Sequence, residues 1–155
     1  MAETVAALDC GTNTLRLLVA TTDETGRLVE FDRQLRFAGL GQGVDATGQF
    51  ADEAMERGWA IVDEYLPVIK RLGATRARFV ATSAARDASN RQVFFDGVRE
   101  RLGIDPELIS GQEEAQLSFN GAISGARLDG DPVLVMDSGG GSTELVHGTA
   151  AGEIS

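Results

Sequence analysis

The sequence predicts an α/β protein with one complete domain followed by the beginning of a second. Apolar segments in the order strand, strand, strand, helix, strand, helix, strand, helix give the first domain, and two further strand-like segments follow it. Residues 9–14 (DCGTNT) and 137–143 (DSGGGST) are similar, and each directly follows an apolar strand. Because the pattern of residues 9–14 is repeated at 137–143, we expect a second domain related to the first.

The composition is that of a globular protein with an excess of acidic residues. The 155 residues include 43% hydrophobic and 25% charged side chains, and the net charge is -10. This charge argues against a nucleic-acid partner, because nucleic-acid-binding surfaces are basic. No apolar run approaches the ~20 residues of a membrane helix, and the first residues lack the basic region of a secretory signal. Cys10 is the single cysteine, so we expect a cytoplasmic protein with neither disulfides nor a membrane partner.

Three strands open the first domain. Apolar and β-branched residues predict them at 4–8, 15–22 and 28–37, and the short turns between them make an antiparallel meander. Glycines over 39–48 then mark a flexible loop. Helical apolar spacing over 52–72 predicts a helix, which Pro67 should kink or interrupt because proline lacks an amide donor.

Alternating strands and helices complete the first domain. The remaining predicted strands of this domain cover residues 78–82 and 107–109. A helix is predicted over 90–102, with Ser89 and Gln92 at capping-box positions and Gly103 ending it. The last helix runs to about Ser124.

The second domain is predicted to begin after a loop at 125–131 (GARLDGD). We therefore assign 1–126 to the first domain and 127–155 to the beginning of the second. The strands predicted there cover residues 133–136 and 143–146.

The two similar turns have the composition of phosphate-binding loops. Glycine lets the backbone approach an anion closely, and successive amide groups of such a turn can point at one phosphate. Asp9 and Asp137 stand where a carboxylate could hold Mg²⁺ beside that phosphate. The alternative is a pair of tight hairpin turns that need glycine for positive φ angles. Two turns with the same order of residues favour phosphate binding.

Other phosphate-binding loops do not fit this sequence. Neither turn ends in Gly-Lys-Ser or Gly-Lys-Thr, which excludes a Walker loop. Residues after Gly141 alternate like a strand, whereas a dinucleotide-binding turn leads into a helix. The remaining architecture is the actin-like (ribonuclease H-like) ATPase fold, in which two related domains carry hairpin clamps on either side of a cleft.

Two further segments carry candidate functional residues. In 81–90 (ATSAARDASN), Ser83 and Arg86 would lie near a helix N-terminus, where backbone amides attract anions. Taken alone, that segment would be interpreted as a connecting loop with a surface arginine.

The segment 110–115 (SGQEEA) opens the last helix of the first domain. Ser110 and Glu113 occupy capping-box positions, which leaves Glu114 available as a general base for water. A glutamate at this position can also simply favour the helix dipole.

These four segments, in this order, resemble the motifs of the exopolyphosphatase and guanosine pentaphosphate phosphatase (Ppx/GppA) family. The resemblance rests on residues 9–17 (DCGTNTLRL), 81–90, 110–115 and 137–144 (DSGGGSTE) and so covers nearly the whole chain. Ser138 departs from the family pattern, in which an aliphatic residue is usual, although its side chain need not contact substrate. Family members are also longer than this chain.

The resemblance implies an actin-like fold and hydrolysis of the terminal phosphoanhydride of inorganic polyphosphate, of guanosine pentaphosphate, or of both. It implies that Glu114 is the catalytic base and that Asp137 and Glu144 contact Mg²⁺ and phosphate, while Asp9 is the metal ligand expected from the first turn. The phosphate-binding residues that it implies are Gly11, Thr12, Asn13, Arg86, Gly139, Gly140, Gly141 and Ser142. Three arginines could line the path of a polyanion or simply lie on the surface: Arg16, Arg33 and Arg36.

Two other functions stay open on the sequence alone. The hairpin clamps by themselves also fit an actin-like ATPase or kinase, and a non-catalytic phosphate sensor is a further alternative. We expect the full-length protein to form a homodimer, and the 155-residue chain alone to have negligible activity because most of the second domain lies outside it. Cys10, Trp59 and His147 are interpreted as structural residues.

Overall fold

The computed structural model of the chain describes residues 3–126, 128, 130, 132–149 and 154. They form two compact units, Met1–Leu108 and Ile109–Ser155. The second unit contains both the last predicted helix and the second hairpin. The domain boundary near residue 126 stays a prediction.

A mixed five-stranded sheet organises the first unit. Its strands are β1 (Val5–Cys10), β2 (Thr14–Thr22), β3 (Leu28–Phe37), β4 (Arg76–Ala81) and β5 (Glu107–Leu108). The strand order is β3-β2-β1-β4-β5, in which β1, β2 and β3 pair antiparallel. Strands β4 and β5 extend the sheet in parallel from β1. The predicted opening meander is confirmed.

Four helices belong to the first unit: α1 (Val44–Thr47), α2 (Asp52–Arg71), α3 (Ser83–Asp87) and α4 (Arg91–Leu102). Leu15 and Leu17 alternate with exposed or half-buried residues along β2 and are fully buried in the core. Tyr65 of α2 is also fully buried, and its hydroxyl donates a hydrogen bond to the Leu15 carbonyl at 2.8 Å. Helices α2 and α4 contact each other, so the core lies between the sheet and this helix pair.

Local predictions for the helices were partly wrong. Helix α2 runs through Pro67 without the interruption that was one of the two predicted outcomes, because buried Tyr65 and Ile69 on either side of the proline hold both parts of the helix against the core. The kink that was the other outcome stays a prediction. The glycine-rich loop contains the short helix α1, and helix α3 was not predicted.

The capping box predicted at Ser89 and Gln92 is also wrong. Asn90 is the N-cap of α4, and the Ser89 hydroxyl donates instead to the Gly48 carbonyl at 3.0 Å. The Gln92 amide donates to the Asp96 carboxylate at 2.8 Å. Both side chains have found partners outside the helix terminus. The predicted glycine stop is confirmed, since Gly103 has a φ of 70°.

The second unit consists of helix α5 (Gly111–Ser124) and a hairpin of β6 (Val133–Ser138) and β7 (Thr143–Gly148). The Ser110 hydroxyl caps α5 by accepting a hydrogen bond from the Glu113 amide at 3.1 Å, which confirms the helix start. Helix α5 contacts both strands. Phe119 and Val146 are buried within this unit.

The two faces of the hairpin differ in exposure. Register pairs Val135 with Val146 and Asp137 with Glu144, and these residues are buried or half-buried. The opposite face exposes its large apolar side chains by 65–67%: Leu134, Met136 and Leu145. In the part of the chain that the structure describes, no helix has both the length and the apolar character needed to cross a membrane.

Candidate active site

The turn between β1 and β2 is closed by one backbone hydrogen bond. The Gly11 amide donates to the Thr14 carbonyl at 3.0 Å, so that amide is used inside the hairpin. Thr12 and Asn13 form the tip of the turn between them. The tip, rather than Gly11, therefore carries the backbone amides that could face an anion.

A second loop supports this turn from one side. The amides of Ala38 and Gly39 both donate to the Asn13 carbonyl, at 2.8 and 2.9 Å, and the Gly41 amide donates to the Thr12 carbonyl at 2.8 Å. Because the carbonyl and amide of one peptide point in opposite directions, fixing the Thr12 carbonyl aims the Asn13 amide away from this loop. Among the described residues, that amide donates to no backbone carbonyl in the turns and loops.

The supporting loop is itself anchored to α2. The Arg57 guanidinium donates to the Ala38 carbonyl at 3.0 Å. Gly41 lies so close to the turn that an added Cβ would stand 2.2 Å from Cγ2 of Thr12. Only glycine allows this approach. Neither Arg57 nor Gly41 could be identified as a site residue from the sequence, since both act through contacts between segments distant along the chain.

The third motif meets the first turn through a pair of hydroxyls. Oγ1 of Thr12 and Oγ of Ser83 lie 2.8 Å apart. Ser83 is the first residue of α3, and Arg86 lies in the last turn of this five-residue helix. The structure therefore brings two of the predicted anion-binding segments together within the first unit.

The turn between β6 and β7 repeats the closure of the first turn. The Gly139 amide donates to the Ser142 carbonyl at 2.9 Å, which matches the bond from Gly11 to Thr14. The similarity of the two sequences is thus matched by similar backbone geometry. Gly140 and Gly141 occupy the exposed tip, where no side chain limits the approach of an anion.

The two turns differ in what faces the aspartate. Asp9 pairs in register with Arg16, and their charged groups are 3.9 Å apart. Asp137 pairs in register with Glu144, so two carboxylates occupy directly opposed positions on one face of the second hairpin. The second turn is the more acidic of the two.

Helix α5 carries Glu114 on the face that Ser118 turns toward that hairpin. The Ser118 hydroxyl donates to Oδ2 of Asp137 at 2.5 Å. Glu114 precedes Ser118 by one helical turn and therefore lies on the same face of α5. Glu114 is half-buried whereas Glu113 is exposed. The role of Glu114 as the base stays a prediction.

Magnesium fits the carboxylates of the second unit. It binds oxygen ligands and commonly takes one or two protein carboxylates, with water and phosphate oxygens completing its octahedral shell. Like charges directly opposite each other destabilise a hairpin, so a cation between Asp137 and Glu144 would offset their repulsion. The described residues include no group of three His, Cys, Asp or Glu placed to hold a metal. The pair suits an ion that shares its ligands with substrate and water.

Other candidate residues have their own partners. Arg16 lies beside Asp9, Arg33 donates to Glu30 at 2.7 Å, and Arg36 donates to Glu64 at 3.2 Å. The path of a polyanion along these arginines stays a prediction.

The residues interpreted as structural occupy ordinary positions. Cys10 is buried, and burial together with the neighbouring Asp9 charge raises the pKa of its thiol well above the usual range, so the thiol is not a nucleophile. Trp59 stacks on Phe94 at 6.1 Å. His147 lies on the exposed face of the hairpin, opposite the carboxylates.

Known proteins share this arrangement of strands and helices. Exopolyphosphatase 2 of Mycobacterium tuberculosis is 47% identical over 93% of this chain, and the match spans 48% of that protein. A solved exopolyphosphatase-like protein superimposes with a TM-score of 0.93 at 46% identity, over 99% of this chain and 48% of its own. The chain spans about half the length of these relatives.

Solved structures of less similar proteins have the same fold. An exopolyphosphatase from Cytophaga hutchinsonii gives a TM-score of 0.91 at 30% identity, over 98% of this chain and 48% of its own. The Aquifex aeolicus Ppx/GppA protein superimposes with a TM-score of 0.85 at 29% identity, over 100% of this chain and 50% of its own. These neighbours confirm the predicted actin-like fold. The Ppx/GppA phosphatase family model matches residues 18–154. The chain therefore belongs to the Ppx/GppA phosphatase family.

Proposed function

We propose that the full-length protein is an exopolyphosphatase that hydrolyses the terminal phosphoanhydride of inorganic polyphosphate. The observation that carries the proposal is the acidic face of the second unit, where Asp137 and Glu144 oppose each other and Ser118 links Asp137 to the helix that bears Glu114. Relatives of 46–47% identity are called exopolyphosphatase or exopolyphosphatase-like. Family membership supports the same chemistry.

In the proposed reaction Glu114 accepts a proton from water, and the water oxygen forms a bond to the terminal phosphorus. The bridging P–O bond breaks, and its electrons stay on the shortened polyphosphate. Orthophosphate is the other product. A positioned general base of this kind contributes about 10²–10⁴-fold to the rate.

The remaining groups would bind and neutralise the phosphates. The tips of the two turns, at Thr12–Asn13 and Gly140–Gly141, offer backbone amides, and Arg86 offers a guanidinium. Asp137 and Glu144 would hold Mg²⁺, which would neutralise phosphate charge as it develops. Asp9 of the first turn would contact Mg²⁺ through a water molecule, since its carboxylate already lies beside Arg16.

Guanosine pentaphosphate is the second substrate that we propose, because it ends in the same type of phosphoanhydride. An ATPase is the competing function, favoured by the two turns that close with the same hydrogen bond. Initial rates of phosphate release by the full-length protein from polyphosphate, guanosine pentaphosphate and ATP, at equal concentrations of terminal phosphate, separate these functions. We expect release from polyphosphate to be fastest. An ATP rate above the other two would favour the ATPase.

Replacing Gly41 with Ala should weaken substrate binding through the first turn. The new Cβ would overlap Thr12, and overpacking of this kind costs about 1–3 kcal/mol. We expect a higher KM for polyphosphate with a smaller change in kcat, measured in the full-length protein. Gly121→Ala is the control, because nothing lies within 4 Å of its added Cβ. An unchanged KM in Gly41→Ala would show that the supporting loop does not set the turn.

A further inference from the structure

Ser118 connects α5 to the acidic end of the second hairpin. Its hydroxyl donates to Oδ2 of Asp137 at 2.5 Å, and both residues are half-buried. The next residue, Phe119, is fully buried, so this part of α5 is packed rather than exposed. The hydroxyl therefore meets the carboxylate from a packed position rather than from a mobile surface.

The same helix face carries the candidate base. Glu114 and Ser118 are four residues apart, a spacing that places their Cβ atoms about 5–6 Å from each other. A helix is stiff over one turn, so the backbone separation of Glu114 and Ser118 varies little. The bond from Ser118 thus also fixes Asp137 relative to the helical turn that carries Glu114.

The hydrogen bond also limits how Asp137 can turn. A serine hydroxyl has a single proton to donate, and here it is donated to Oδ2 of Asp137. Oδ1 and the remaining lone pair of Oδ2 stay available to a cation. Outer hydrogen bonds of this type orient carboxylate ligands, and their loss costs about 10–100-fold in metal affinity.

We propose that Ser118 is a positioning residue that orients Asp137 for Mg²⁺ and sets its place relative to Glu114. The proposal rests on the proposed function, in which Asp137 is a metal ligand. It adds a residue that none of the four sequence motifs singles out, because the contact forms only when α5 meets β6.

The test measures metal binding directly, in the full-length protein without substrate. Free Mn²⁺, used in place of Mg²⁺, is followed by electron paramagnetic resonance during titration of the native protein, Ser118→Ala, Ser118→Thr and Asp137→Asn. Ser124→Ala is the matched control, since its hydroxyl bonds only within α5, to the Gly121 carbonyl. We expect Ser118→Ala to bind Mn²⁺ about 10–100-fold more weakly. Ser118→Thr and Ser124→Ala should bind nearly as the native protein does.

The outcomes separate this inference from the proposed function. Native Mn²⁺ affinity in Ser118→Ala together with lost binding in Asp137→Asn would overturn the role of Ser118 and leave the metal site intact. Equal weakening in Ser118→Ala and Ser118→Thr would also overturn it, because the shape of the side chain rather than its hydroxyl would then matter. Native affinity in Asp137→Asn would overturn the metal assignment itself, and the inference with it.

Discussion

Replacing Glu114 with Gln should lower kcat for phosphate release from polyphosphate by about 10²–10⁴-fold in the full-length protein. Glutamine preserves the size of the side chain but cannot accept the proton of the attacking water. KM should change little, because the phosphate contacts assigned to the turns are retained. The measurement is steady-state orthophosphate release at saturating Mg²⁺.

Glu113→Gln is the matched control for this substitution. Glu113 is the exposed neighbour whose amide donates to the Ser110 hydroxyl at the helix cap. It should retain a native kcat. Full activity in Glu114→Gln would remove Glu114 as the base, and equal losses in both variants would indicate damage to the start of α5.

Replacing Phe94 with Ala should destabilise the first unit by about 3–5 kcal/mol. Phe94 is fully buried and lies at the centre of the aromatic cluster. Its ring contacts four others at centroid distances of 5.8–6.5 Å: Phe50, Trp59, Phe79 and Phe95. Truncation would leave a cavity that these rings cannot fill without losing their own packing.

Urea denaturation of the 155-residue chain, followed by circular dichroism, measures this loss. Phe31→Ala is the control, because Phe31 is 48% exposed on the edge strand β3. Its truncation should lower the free energy of unfolding far less. Similar losses in the two variants would contradict the assignment of Phe94 to the centre of the core.

Regular elements were predictable from the sequence because their patterns are local. Alternation along 15–22 gave β2, since Leu15, Leu17 and Val19 are the residues that face the core. The start of α5 was predictable because a capping serine and the amide it accepts from lie only three residues apart.

Elements decided by distant contacts were not predictable. Ser89 sits at a plausible cap position, but the Gly48 carbonyl competes for its hydroxyl from 41 residues away. Pro67 is tolerated because buried neighbours on both sides stabilise α2.

The residues of the candidate site also fall into those that a local pattern suggests and those that depend on contacts between distant segments. Glu114 could be separated from Glu113 by the capping geometry of one short segment. Ser118, Gly41 and Arg57 could not be identified, because each acts through a contact between elements that the sequence does not pair. Their spacing from the motifs gives only a weak signal, such as the four-position separation of Glu114 and Ser118 on one helix face.

Hydrolysis of polyphosphate of defined length in H₂¹⁸O tests the central claim most directly. If water activated by Glu114 attacks the terminal phosphorus, each orthophosphate released by the full-length protein carries one oxygen from the solvent, and the shortened chain carries none. Mass spectrometry of both products reads this directly. Label in the remaining chain, phosphate passed to another acceptor without solvent oxygen, or no orthophosphate at all would contradict the account.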